Sequence, residues 1–294
     1  MKNSSNLIWH LTAIITILVW GTSFVSTKVL LSYNFTACQI YLLRFSLAYL
    51  VLLAVSHSSF KCENWRDELR LLICGFTGGA VYFVAENTAL QYSMASNVSL
   101  IVCGNPLLIM IFAGILYKAE RMKPIQILGS LLTFAGMILV VLNGQFILKL
   151  NPLGDLLAFT SAFVWAIYSV TIRKINGKYS VLFISRKIFF YGLLTTIPFL
   201  TFFNKPFPAE NLAVPAVWGN LLFLGIFASL FGYVLWNKTL EKLGTVFASN
   251  YIYAIPLVTM ITAVIVLGET ITPLAILGAT AIIVGMIIAE RKKK

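Results

Sequence analysis

The chain has 294 residues, of which 59% are apolar and only 11% charged, with a mean hydropathy of +0.89 and a formal net charge of +12. Soluble proteins carry about 25% charged residues, so a water-facing globular surface cannot be covered here and the soluble enzyme and soluble binding-domain classes are excluded. Ten stretches reach the roughly 18 apolar residues of a membrane-crossing helix, which predicts an all-α, polytopic membrane protein.

In chain order the predicted spans are 8–30, 36–56, 70–91, 96–117, 124–142, 153–173, 181–202, 216–237, 245–267 and 272–290. The loops left over are too short for an extramembrane domain. An apolar run begins at Leu7 after one early Lys, but no small-residue cleavage pattern follows Trp20-Gly21, so the first segment is expected to stay as a span. The four cysteines, Cys38, Cys62, Cys74 and Cys103, are scattered and predict neither a disulfide framework nor a metal site. No cofactor is expected.

Lys and Arg alternate between gaps. The N-terminus, the even-numbered gaps and the C-terminus hold 16 of the 22, whereas the odd-numbered gaps hold only Lys149 and Lys205. By the positive-inside rule both termini are expected in the cytoplasm, in a cell (inner or plasma) membrane. The basic excess is thereby topology, and a nucleic-acid partner loses its support.

The sequence also repeats itself. Asn87, Leu90 and Pro106 fall over Asn237, Leu240 and Pro256 at an offset of 150, and Glu120, Pro124, Gly129 and Gly136 over Glu269, Pro273, Gly278 and Gly285 at 149. Val19-Trp20 with Lys28 falls over Val164-Trp165 with Arg173 at 145. Residues 1–145 and 146–294 are thus predicted as two five-helix repeats. Because five is odd, the copies enter the membrane from opposite sides, the inverted arrangement that gives transporters a route to alternating access.

Val19-Trp20-Gly21, Arg44 in span 2, Ala89-Leu90-Gln91-Tyr92 closing span 3, Asn105-Pro106, Glu120 ahead of Pro124, Gly154-Asp155-Leu156-Leu157 and Gly268-Glu269 occur in order at matching depths. This pattern resembles the EamA-type branch of the drug/metabolite transporter superfamily over essentially the whole chain. The resemblance implies ten helices, a central substrate path and movement of a small metabolite, often outward. Amino acids and related solutes are favoured by it.

Several residues are candidates for a substrate or coupling site. Trp20, Trp165, Pro106 and Pro256 lie near the midplane, and a Pro inside a span frees a carbonyl, so the two Pro are expected as hinges beside a cavity. Glu86 is the only carboxylate well inside a span, with Tyr82 one turn before it on the same face. A charge in hydrocarbon costs roughly 2.5–3.5 kcal/mol on insertion scales, so Glu86 should face the interior, be protonated or meet a cation, with Lys28 or Arg44 as partners. A proton-coupling or substrate-ammonium role and a buried ion pair both fit it. Arg44 is read as an interior carboxylate binder, while Lys187, beside Arg186, is expected to snorkel. Asn87, Asn97, Asn105, Asn237 and Asn250 can bond a ligand or, more commonly, bridge helices. Glu120 and Glu269 read as caps, and Gly129 with Gly136, Gly278 with Gly285 and Gly75 with Gly79 read as close-packing positions.

The competing class is an intramembrane enzyme, or a scaffold or receptor. His10 and His57 both lie near span ends, and no HExxH, GxSxG or phosphate loop is present. The expected partners are a small-molecule substrate, the lipid bilayer and, for coupling, a proton, with a homodimer left open.

Overall fold

A computed structural model describes residues 2–56, 60–92, 95–118, 121–142, 151–202, 205–259, 261 and 272–290. Lys149, Glu120, Glu269 and the end of the ninth predicted span lie outside them. Within these residues there are helices and no strands, in ten segments: α1 Lys2–Ser32, α2 Ala37–Val55, α3 Trp65–Tyr92, α4 in two pieces (Ala95–Val102 and Asn105–Leu116), α5 Pro124–Leu142, α6 Pro152–Ile172, α7 Val181–Phe202, α8 Pro215–Leu243, α9 from Thr245, and α10 Pro273–Glu290. Six are long and apolar enough to cross a membrane. Apolar stretches of 10–17 residues lie in α4, α5 and α10.

Local chemistry sets the helix starts. Thr36 and Gln39 form a reciprocal capping box ahead of α2, Asn64 caps α3 through the Asp67 amide, and Asn151 caps α6 with Pro152 in its first turn. Gly244, at φ +89°, allows the chain to leave α8 and re-enter a helix at once. The structure extends α3 and α8 beyond the predicted spans at 70–91 and 216–237, because the polar turns at their basic end continue the helix out of the apolar stretch.

The gaps separate onto two ends. At the basic end Arg173 stacks on the Tyr117 ring at 4.0 Å and His10 Nδ1 lies 2.6 Å from the Tyr251 hydroxyl. At the far end Gln39 Nε2 donates to the Lys205 carbonyl at 3.2 Å, Asn211 Nδ2 donates to the Tyr33 carbonyl at 2.9 Å, and Phe35 meets Phe207.

The halves interlock. α1 and α2 of the first half pack on α8, α6 and α7 of the second pack on α3, and α5 pairs with its counterpart α10. On α5 and α10 the glycine spacing read from the sequence becomes an antiparallel seam: Gly129 faces Gly285, and Gly136 faces Gly278. A Cβ added at Gly136 would sit 2.6 Å from the Gly278 carbonyl oxygen, and one added at Gly278 would sit 2.6 Å from the Gly136 carbonyl oxygen. Each residue meets the counterpart of the other, as a two-fold axis between inverted copies requires. Gly75 and Gly79 likewise lie against Gly192 of α7.

Two pairs of irregularities recur at repeat-related places. α3 widens to a π-helix at Phe76–Val81 and α8 at Phe223–Phe231. α4 is interrupted at Cys103-Gly104, and α9 tightens to a 3₁₀ turn at Asn250–Ala254. Pro106 and Pro256 therefore do not kink continuous helices as expected. Each stands in the first turn of the segment after a break, where its missing N–H has no helical partner to lose.

Gly136→Leu or Gly278→Leu should overpack the α5–α10 seam and cost about 1–3 kcal/mol. Thermal unfolding in detergent would read this as a lowered melting temperature. Gly114→Leu, at a position with nothing within 4 Å, should leave it unchanged.

Candidate functional site

One face of α3 carries Tyr82, Phe83, Glu86, Asn87 and Leu90, the one-and-four spacing of a helical stripe, and all five line a central cavity. α1 contributes Trp20, Ser23, Phe24 and Thr27, α2 contributes Arg44, and α6 and α8 contribute Trp165 and Tyr233. The breaks in α4 and α9 supply Cys103 and Asn105, and Ile252 and Ile255. The empty space of the hollow, counted together with the open solvent at its mouth, is about 630 Å³.

The floor is aromatic. Trp20 and Trp165, counterparts in the two repeats, meet edge to face at 5.6 Å, and Tyr82 lies 4.9 Å from Trp165. Both π-turns are tied to this floor across the halves: Trp20 Nε1 donates to the Ala228 carbonyl at 3.0 Å, and the Tyr233 hydroxyl donates to the Gly78 carbonyl. Gly78 and Ala228 are again 150 residues apart. A widened turn exposes carbonyls that lipid cannot satisfy, and the aromatic donors do so.

Two opposite charges face the same hollow. Arg44 is 3% exposed, donates from Nε to the Ser229 hydroxyl at 2.7 Å and lies 4.8 Å over the Phe83 ring. Glu86 is 6% exposed and accepts from the Tyr82 hydroxyl at 2.9 Å. Among the described residues neither forms an ion pair within 4.0 Å, so the Arg44–Glu86 bridge, one of the readings the sequence leaves open, is not made. Buried polar atoms complete the wall: Asn87 Nδ2, Asn105 Oδ1 and Trp165 Nε1 have no hydrogen-bond partner among the described residues. Asn105 Nδ2 is fixed by the Val102 carbonyl at 2.9 Å.

The structure thus brings Glu86, Arg44, Trp20, Tyr82, Asn87 and Trp165 of the predicted residues to one cavity. It leaves out two. Lys28 is exposed, one position beyond the cavity-lining Thr27 and turned away from Glu86. Asn237 is fully buried, accepts from the Tyr168 hydroxyl and does not line the cavity. Pro106 and Pro256 flank the wall through their neighbours Asn105 and Ile255. The sequence reading missed Ser229, Tyr233 and Cys103, and raised Asn105 only as one of several amides able to bond a ligand. Ser229 and Tyr233 lie more than 180 residues from Arg44 along the chain.

At the far end a second hollow lies between the ends of α1 and α3 and the α7–α8 loop, lined by Asn34, Thr36, Gln91, Lys205 and Glu210 among others. Leu90 belongs to both walls.

Ten helices in two inverted sets around a polar, charge-lined central hollow define the transporter class of polytopic membrane protein. The EamA-like transporter family matches residues 7–142 and again residues 152–290, and the chain belongs to that family. An uncharacterized transporter of Bacillus subtilis (strain 168) is 30% identical, covering 84% of this chain and 82% of that protein. A "Probable terminal-alkyne amino-acid exporter" of Streptantibioticus cattleyicolor is 24% identical over 98% and 94% of the two chains. A "Probable amino-acid metabolite efflux pump" of Escherichia coli (strain K12) is 25% identical over 94% and 92%. A crystal structure superposes with a TM-score of 0.78 at 20% identity, covering 95% of both chains, which shows the shared fold.

Leu90→Trp should plug the neck between the two hollows. The rate at which a membrane-impermeant maleimide added at the far end modifies Cys103 in the cavity should fall several-fold, while Leu53→Trp, on the exposed face of α2, should leave that rate unchanged.

Proposed function

We propose that this chain is a secondary transporter that exports a small zwitterionic solute of the amino-acid type by alternating access. The observation that carries the reading is the pair of buried, opposite, mutually unbridged charges on one small cavity. Arg44 receives the solute carboxylate, since its remaining N–H groups suit a two-oxygen anion. Glu86 receives the ammonium, with the Asn105 carbonyl oxygen as a second acceptor. A zwitterion neutralises both charges at once, which offsets the expense of keeping them out of water. The names of two relatives, an amino-acid exporter and an amino-acid metabolite efflux pump, favour the same class.

Glu86 alternates between a proton and the solute ammonium, and this exchange couples transport to the proton gradient. The repeats at 1–145 and 146–294 supply the two conformations, which they exchange to turn the cavity from one side to the other. Both termini lie in the cytoplasm of a cell-membrane protein, because the basic end carries the Lys and Arg excess. The activity is flux without chemical change to the solute.

Purified protein in proteoliposomes preloaded with single amino acids should give saturable counterflow of the labelled species. Glu86→Gln and Arg44→Met should each lower kcat/KM at least about tenfold, the loss of one charge-assisted contact of 1.5–3 kcal/mol. Absence of counterflow for every amino acid sinks the substrate reading. Retained pH dependence in Glu86→Gln sinks the coupling role.

A further inference from the structure

Lys187 does not snorkel as expected. Its side chain is buried, paired with Glu68 and seated 3.9 Å over the Phe60 ring, because α3 begins below the predicted span and carries its first turn against α7. The Tyr191 hydroxyl donates to the same carboxylate. One residue earlier, the buried Asp67 is paired with Lys178 of the α6–α7 loop. Asp67 also accepts from the Tyr179 hydroxyl at 2.9 Å, Asn64 Nδ2 at 3.0 Å and Arg70 Nη1 at 2.7 Å. The Asp67 carboxylate holds the Lys178 ammonium above its ordinary range, and Glu63 lies 3.4 Å from it. Every one of these bonds except those from Asn64 and Arg70 crosses from the first half of the chain to the second.

The repeat-related place at the far end is of another kind. The positions 150 residues on are Val217 and Trp218, and Val217 is buried among Leu30, Phe35, Ile40, Leu221 and Leu224. The same start of a helix is thus held by ion pairs at one end of the molecule and, at Val217, by apolar contact at the other. The central cavity adjoins the far-end hollow at Leu90, and the ion-paired end lies beneath the aromatic floor. Each pair has one buried member, Asp67 or Lys187, whose charge must be rehydrated when the pair parts, so the contact opens only as water enters.

We infer that Asp67–Lys178 and Glu68–Lys187 are the gate that seals the cavity from the basic end and parts when the cavity opens there. The inference rests on the alternating-access reading above. It assigns a role to four charged residues outside the cavity.

The test uses Cys103 as a reporter in a Cys62→Ser background, with the full chain in right-side-out and inside-out vesicles and no added solute. An impermeant maleimide is applied to each side. Asp67→Asn with Glu68→Gln should raise Cys103 labelling from the basic end about tenfold or more and lower it from the far end. Glu68→Lys with Lys187→Glu together should return both rates towards those of the parent. Unchanged rates in a folded variant overturn the gate, as does a swap that restores nothing. Where the double variant fails to fold, Lys178→Met, at a half-exposed position, should give the same rise, and no rise overturns the gate. Labelling needs no solute, so failed amino-acid counterflow with intact switching of sides sinks the substrate and leaves the gate. Counterflow with unmoved accessibility sinks the gate alone.

Discussion

Hydrocarbon offers no hydrogen-bond partner, so every polar group inside the bilayer must find one within the protein, at an expense of several kcal/mol if it does not. That constraint orders the interior. The π-turns of α3 and α8 and the break of α4 turn backbone and amide groups towards the centre, and three of these are answered from nearby or from the other half: Gly78 by Tyr233, Ala228 by Trp20 and Val102 by Asn105. The irregular backbone is confined to where protein or a hollow lies, and the aromatic floor is built from its donors.

The same constraint isolates Arg44 and Glu86. Both are buried, both have one hydrogen-bond partner of their own, and both face the hollow. Tyr82 and Ser229 hold the two charges in place on α2 and α3 of the first half, and Ser229 ties Arg44 to α8 of the second.

The interlocking of the halves gives the repeat its mechanical meaning. Neither five-helix set packs chiefly on itself, since α1 and α2 lean on α8 and α6 and α7 lean on α3. The glycine seam of α5 and α10 lies apart from the cavity and is tightly fitted.

The sequence by itself determined the class, the ten helices, the inverted repeat, the separation of basic and non-basic gaps and six of the cavity-lining residues, because hydrophobic runs, charge counts and offsets are one-dimensional quantities. Glu86, Arg44, Tyr82 and the two Trp were legible for the same reason: a charge or a large aromatic at span depth stands out against an apolar run. Only the tertiary structure decided that Lys28 faces away, that Asn237 is packed behind the wall, and that Lys187 is locked to Glu68 instead of reaching for water. It alone placed Ser229 on Arg44 and set Asp67 against Lys178. A helix's rotation about its own axis, and its neighbours across the repeat, follow from packing between segments more than a hundred residues apart, and nothing local in the chain encodes them.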